Sequence, residues 1–160
     1  IRDIDVYAFS GTVTDTIVKL TVAQGNPVYS VRNSLLIKND GNEKIVMMQM
    51  EDVNELIIPD AVTDVAVALG GDKCNSIVFP ATLLSQEGKI NAAGGRIVYQ
   101  GMTAPKLGED FDIRVSNEKV TTILVPAGTL QSYKRVIADV IMARDDYDIW
   151  DIGDVVIKEN

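Results

Sequence analysis

Short apolar runs alternate with turn-forming residues along most of the chain. This pattern is typical of all-β sandwiches and barrels. We therefore predict a mainly β fold, a sandwich or barrel of short antiparallel strands, in a single domain covering residues 1–160. The predicted strands are 12–23, 28–32, 35–38, 44–50, 55–58, 62–69, 76–79, 96–100, 111–115, 120–125 and 154–158.

The clearest local signal is a β-hairpin. Asp40-Gly41 lies between the apolar runs 35–38 and 44–50. Asp-Gly between two such runs favours a tight turn, because Gly adopts the positive φ that the turn requires.

One segment has helical rather than strand periodicity. Its apolar residues Leu130, Tyr133 and Ile137 recur every three or four positions, and Thr129 can cap the N-terminus. We predict a helix at about 129–144, with a further buried strand at 136–142 as the alternative.

Three strands run directly into proline, at Pro59, Pro80 and Pro126. Proline has no N–H to donate and therefore ends strand pairing. Because the separations are unequal, we interpret the motif as a shared way of ending a strand and predict no repeat architecture. The polar, Gly-containing segments 89–95 and 101–109 are predicted surface loops.

Composition excludes several kinds of chemistry. The chain has no His and one Cys, so it lacks imidazole catalysis, His metal ligands and intrachain disulfides. Its net charge is −8 and its basic residues are scattered, which argues against nucleic acid and anionic membranes as partners. No apolar run approaches a membrane span and no leader is visible. The chain begins with Ile1, from which we expect a processed or trimmed form.

The densest acidic cluster offers one possible metal site. Asp146, Asp148 and Asp151 could supply oxygen ligands to Ca²⁺, the only cofactor we consider. The spacing does not match an EF-hand loop. A solvated acidic loop and an acidic patch that docks a basic partner are the alternatives.

Paired carboxylates can perform acid–base catalysis without His, and two clusters are candidates: Glu51, Asp52 and Glu55, and Glu109, Asp110 and Asp112. A glycosidase needs two carboxylates and no His, but the single Trp provides no aromatic platform for a sugar. Cys74 lacks a His partner and is interpreted as a small, partly buried filler. We predict a protein that is not an enzyme.

Methionines lie on both faces of the predicted strand 44–50. Met48 and Met50 share one face and Met47 takes the other, which suggests that the hairpin is covered on both sides, with a neighbouring subunit as one candidate. Together with the two predicted loops, this yields the candidate interface residues. They are Met47, Asn91, Arg96, Met102 and Lys106.

The segment 34–41, followed by 45–50 and by the strand 55–58 that ends in Pro59, resembles β-domains of tailed-phage virion proteins. The resemblance implies a non-enzymatic virion component (head decoration, fibre-base or neck and tail) that is assembled in the host cytoplasm. Its partners would be other protein subunits, through self-association or through capsid and tail proteins.

The alternative function is a carbohydrate-binding or adhesin-type β-sandwich, with a Ca²⁺-dependent module as one form of it, located outside the cell or at its surface. The segment 125–134 is also similar to the closing segment of some bacterial surface leucine-rich repeats, although leucine-rich spacing is absent upstream.

Overall fold

The computed structural model describes residues 20–113, 120–142 and 155–160, and in these ranges it is mainly β with one α-helix near the C-terminus. The elements are β1 (Tyr29–Arg32), β2 (Leu35–Asp40), β3 (Glu43–Gln49), β4 (Glu55–Ile57), β5 (Asp64–Val65), β6 (Leu69–Gly71), β7 (Ser76–Phe79), β8 (Ser85–Gln86), β9 (Lys89–Ala92), β10 (Arg96–Tyr99), β11 (Lys106–Leu107), β12 (Asp112–Ile113), β13 (Thr121–Val125), α1 (Leu130–Met142) and β14 (Val155–Glu159).

From β4 onward the chain visits three sheets in rotation. β4, β7, β10, β13 and β14 form a five-stranded sheet, β6, β9 and β12 a three-stranded sheet, and β5, β8 and β11 extend a six-stranded sheet that begins with β1–β3. All the pairings between successive turns of the chain are parallel. The fold from β4 onward is therefore a three-sided parallel β-solenoid of stacked coils.

The prediction that the proline motif reflects no repeat is wrong. In the five-stranded sheet Glu55 is in register with Ser76, and Ser76 with Arg96, so the first two coils are nearly equal in length. Two features of the sequence make this repeat of nearly equal coils hard to recognise. The third coil has Gln100 where the others have proline, and Arg96 pairs with Thr122, which makes that coil longer than the first two.

Antiparallel pairing, predicted for the whole chain, is confined in the described residues to β1, β2 and β3, which we call the meander. The remaining strands do not form an antiparallel sandwich or barrel. Short strands with turn residues between them are compatible with either arrangement, because the local pattern does not fix the distant strand with which each one pairs.

Ladders of aliphatic side chains fill the solenoid. Along the five-stranded sheet the inward residues in register are Leu56, Ile77, Ile97, Ile123 and Ile157. Phe79 stacks on Tyr99 one coil further on, with ring centroids 4.8 Å apart. Each coil thus buries its apolar edge only by stacking on its neighbours, as in other solenoids.

The helix α1 closes one end of this core. Thr129 precedes its first residue, and Tyr133 is buried with its ring centroid 5.3 Å from that of Tyr99. The predicted helix is confirmed over 130–142, so the alternative strand at 136–142 is wrong. Its predicted last residues, 143–144, lie outside the described residues.

The predicted hairpin at Asp40-Gly41 is confirmed. Asp40 pairs with Glu43, and Gly41 has a φ of 61°. A second tight turn, absent from the sequence predictions, joins β1 to β2 through Asn33 and Ser34, both with positive φ. This turn lets the Asn33 side chain donate to the carbonyl of Ile57 (2.9 Å), at the outer edge of the five-stranded sheet.

The meander has two apolar faces, and a β-bulge in β3 decides which of them Met47 joins. Leu36 pairs with Met48 but Ile37 pairs with Val46, so Met47 is the additional residue. Val46 joins the solenoid core, whereas Met47 and Met48 both join a second cluster with Tyr29. The prediction that Met47 and Met48 face opposite ways is therefore wrong.

Other predicted segments need correction. The predicted strand 62–69 is two short strands, β5 and β6, which lie in different sheets. The alternation of apolar and polar residues continues where the chain turns from one sheet to the next, so it does not show that the strand ends there. The predicted loops 89–95 and 101–109 contain β9 and β11. The predicted strand 12–23 lies mostly outside the described residues, and its part at 20–23 is not a strand.

Candidate functional site: the outer face of the five-stranded sheet

The five-stranded sheet has one face in the core and one face outside it. Outward positions form two rows in register across the strands. One row is Glu55, Ser76, Arg96, Thr122 and Val156, and the other is Ile57, Val78, Val98, Leu124 and Lys158.

Four successive members of the second row are aliphatic, and we call Ile57, Val78, Val98 and Leu124 the outer aliphatic row. None of them belongs to either core cluster. Ile57 at one end is 48 % exposed, whereas Val98 between its neighbours is 8 % exposed. An aliphatic row outside the core is the kind of surface at which another protein surface packs.

Polar groups of opposite charge lie in the adjacent row. The Ser76 hydroxyl donates to the Glu55 carboxylate (3.1 Å). Arg96 is exposed, and among the described residues its side chain has no ion-pair partner. The face thus combines an apolar row with a carboxylate at one position and a guanidinium two strands away.

The structure does not bring the five predicted interface residues together. Met47 is 4 % exposed and packs in the second cluster of the meander. Arg96 lies on the outer face described above. The other three are elsewhere: Asn91 in the three-stranded sheet, Met102 in the turn after β10 and Lys106 in the six-stranded sheet.

Two of these three sites have features of their own. Met102 is 68 % exposed, the largest exposed fraction among the exposed large hydrophobic side chains of the described ranges. The Asn91 amide donates to Asp72 (3.3 Å), which ties β9 to the turn after β6.

The predicted Ca²⁺ ligands Asp146, Asp148 and Asp151 lie outside the described residues. Within those residues, no three acidic or thiol side chains are grouped so that they could hold a metal ion.

The carboxylates at 51–55 each accept a different structural hydrogen bond. Glu51 accepts from the Ser34 hydroxyl (3.2 Å), Asp52 from the Lys73 backbone N–H (3.0 Å), and Glu55 from Ser76. These hydrogen bonds hold the segment that leads into the first coil. Each of the three carboxylates is bound to a different donor, so they do not converge on one site.

One row on the six-stranded sheet resembles a catalytic arrangement more closely. Asp64, Ser85 and Lys106 are in register on adjacent strands, and the Ser85 hydroxyl donates to Asp64. A serine nucleophile needs a base to take its proton. Here the hydroxyl is committed to a carboxylate that also accepts from Thr63 (2.6 Å), and Lys106 is exposed, where an ammonium stays hydrated.

Cys74 is fully buried, and its thiol donates to the carbonyl of Ser76 (3.3 Å). Burial raises the pKa of this thiol, which disfavours the reactive thiolate. Cys74 is thus more deeply buried than the partly buried filler that the sequence predicts.

A buried polar group that sequence reasoning missed lies inside the coils. Gln86 is 0 % exposed, in register with Val65 and Leu107, and its carbonyl oxygen accepts from the Tyr99 hydroxyl (2.8 Å). Its Nε2 has no partner among the described residues. Burial also raises the pKa values of Tyr99 and of Tyr133, the latter to about 12, so both hydroxyls stay protonated as donors.

The described residues thus define a parallel β-solenoid with an antiparallel meander at one end, a helix at the other, and an outer sheet face that is partly apolar. Within the described ranges, no helix combines the length and apolar character that crossing a membrane requires. No protein-family model, no curated protein and no solved structure matches the chain.

Proposed function

We propose that this protein is a non-enzymatic structural subunit that acts through contacts between β-rich surfaces, and that the contact is made by the outer face of the five-stranded sheet. The observation that supports this most directly is the outer aliphatic row, which lies outside both core clusters.

Two further properties suit this face for binding. Its strands are held in register by ladders of buried aliphatic residues behind them, so little conformational entropy would be lost on association. Its apolar row is bordered by the charged residues Glu55 and Arg96, and an apolar centre with a polar rim is typical of protein interfaces.

The setting of this contact is a separate proposal. A phage virion subunit is the first candidate, from the resemblance of the meander and first coil to phage β-domains. An adhesin-type surface module is the second, and the repeat favours it. The coils from Glu55 to Ser76 and from Ser76 to Arg96 match leucine-rich repeats in length, and the segment 125–134 resembles a closing segment of such proteins.

The experiment is sedimentation velocity across a range of protein concentrations. We compare the wild type with Ile57→Glu, which places a charge in the outer aliphatic row, and with Val31→Glu as a control. Val31 is also an exposed apolar residue, at 37 %, but it lies on β1 in the meander.

We expect the wild type and Val31→Glu to associate as concentration rises, and Ile57→Glu to remain monomeric. A wild type that is monomeric throughout, or an Ile57→Glu variant that associates as the wild type does, would overturn the proposal.

A further inference from the structure

The charges on the outer face are arranged symmetrically about β7. Glu55 and Arg96 are both in register with Ser76, one on each neighbouring strand. Since adjacent strands lie about 4.8 Å apart, the two charged residues flank Ser76 at equal distances on opposite sides.

This arrangement is complementary to itself. A two-fold axis parallel to β7 and lying above the sheet would place a second copy face to face with the first. It would set Glu55 of each copy opposite Arg96 of the other, and Ser76 opposite Ser76. A two-fold interface uses the same patch on both subunits, so this single face would supply both members of each ion pair.

The apolar row obeys the same symmetry. Ile57 and Val98 are both in register with Val78, again one on each side. The same axis would therefore place Ile57 of each copy opposite Val98 of the other, with Val78 on the axis. The half-exposed Ile57 would lose its contact with water in this packing.

We propose that the outer face of the five-stranded sheet binds a second copy of this chain about a two-fold axis over β7, with two reciprocal Glu55–Arg96 ion pairs. Within one chain these groups are about 10 Å apart, two strand spacings, where salt screens most of their attraction. Across the interface each charge meets a partner directly, and Arg96 gains the ion pair that it lacks among the described residues.

This inference rests on the proposed function, since it names the partner of the same face. Its test is a charge swap with mixing. Glu55→Arg would set the introduced guanidinium opposite Arg96, and Arg96→Glu would set the introduced carboxylate opposite Glu55, so each variant alone has two repulsive pairs. When the two variants are mixed, both cross-interface pairs become attractive again.

We expect each variant alone to dimerise at least about 100-fold more weakly than the wild type, and the equimolar mixture to form a heterodimer at least as tightly as the wild-type dimer. Sedimentation velocity measures all three. The matched controls are Glu43→Arg and Lys134→Glu, two exposed residues off this sheet, which should dimerise as the wild type does, alone or mixed.

The outcomes separate the two proposals. A wild type that stays monomeric overturns the proposed function. A second outcome overturns the two-fold pairing alone. In it the association of the wild type depends on Ile57, but either charge-reversed variant dimerises normally or the mixture of the two fails to associate. Should either reversal disturb folding, Glu55→Gln and Arg96→Gln replace them, each with an expected loss of about 10-fold.

Discussion

The meander and the coils both pair strands around an apolar interior, but they pair different strands. In the meander, β2 and β3 are joined by a tight turn, and β1 and β2 by another, so each strand pairs with its neighbour in sequence. In the coils a strand pairs with the one that lies a full coil away, after the chain has passed through two other sheets. The meander is thus specified by its turns and the coils by the side chains that stack inside them.

Burial differs accordingly between the two regions. The solenoid core is one cluster that extends through every coil and reaches α1. The second cluster, in the meander, is much smaller, and most of its other contacts are only partly buried. We therefore expect the stability of the whole molecule to depend more on the coil interior than on the meander.

The largest expected difference comes from truncating one buried side chain in each region. Ile97→Ala removes a fully buried residue between Ile77 and Ile123 and should lower the free energy of unfolding by about 3–5 kcal/mol. Met48→Ala should cost only about 2 kcal/mol, because its partly buried surroundings can collapse into the gap. Urea denaturation measures both, and an equal or larger loss for Met48→Ala would contradict the difference.

Two glycines with positive φ test how closely the backbones approach in each region. A Cβ at Gly70 would overlap the carbonyl oxygen of Asn91 on the next coil, whereas a Cβ at Gly41, in the hairpin turn, meets nothing within 4 Å. We expect Gly70→Ala to destabilise the protein by about 3 kcal/mol, from backbone strain and overlap together. Gly41→Ala should cost about 1 kcal/mol. The same denaturation experiment decides, and similar losses at both positions would show that the coils are not in close contact there.

The buried pair Gln86 and Tyr99 joins adjacent coils through a polar contact. Tyr99→Phe leaves the Gln86 amide with no partner and should cost about 1–3 kcal/mol. The double variant Gln86→Leu with Tyr99→Phe removes both buried polar groups, and its stability should lie within about 1 kcal/mol of the wild type. Gln86→Leu alone removes the acceptor of the buried Tyr99 hydroxyl and should also be destabilising. If the losses of Tyr99→Phe and Gln86→Leu simply add in the double variant, the pair does not act as a unit.

The smallest expected effect lies in the turns that follow the strands of the five-stranded sheet. Ala61 has a φ of 76° in the turn after Pro59, and Gly128 has a φ of 81° in the turn after Pro126. Because an alanine is strained at such angles, Ala61→Gly should stabilise the protein by about 0.5–1 kcal/mol, and Gly128→Ala should destabilise it by a similar amount. Thermal unfolding of the two variants should therefore shift in opposite directions, and shifts of the same sign would refute this.

The features that can be predicted from sequence are those set by neighbouring residues. The hairpin at Asp40-Gly41 and the helix from Leu130 depend on local turn chemistry and local periodicity. Strand β7 has its predicted bounds, 76–79, because Pro80 marks its end. These signals do not require knowledge of the partner strand.

The features that sequence reasoning missed depend on pairing at a distance. The two-residue strands β8 and β11 have no periodicity of their own and exist because the coil before each one supplies a partner. The repeat was hidden by Gln100 and by the longer coil that follows Arg96. Because of these two features, the strands that end in proline are unequally spaced in the sequence and do not predict a repeat.

The candidate site is predicted by the sequence only in part. Arg96 is one of the predicted interface residues, and it lies on the outer face of the five-stranded sheet. Its role at an interface stays a prediction. The sequence does not single out Ile57 and Val78, because apolar residues at every position of a short strand are equally typical of a strand buried on both faces.

Cross-linking at Val78, which the proposed axis places opposite itself, tests whether the outer face of the five-stranded sheet contacts a second copy. In a Cys74→Ala background, Val78→Cys is treated with a thiol-reactive cross-linker that spans about 10 Å, the usual separation of packed sheets. The control is Leu84→Cys, which is 65 % exposed and lies outside this sheet. We predict a covalent dimer at position 78 that the additional change Ile57→Glu abolishes. Cross-linking at position 78 that is no greater than at position 84 would contradict the claim.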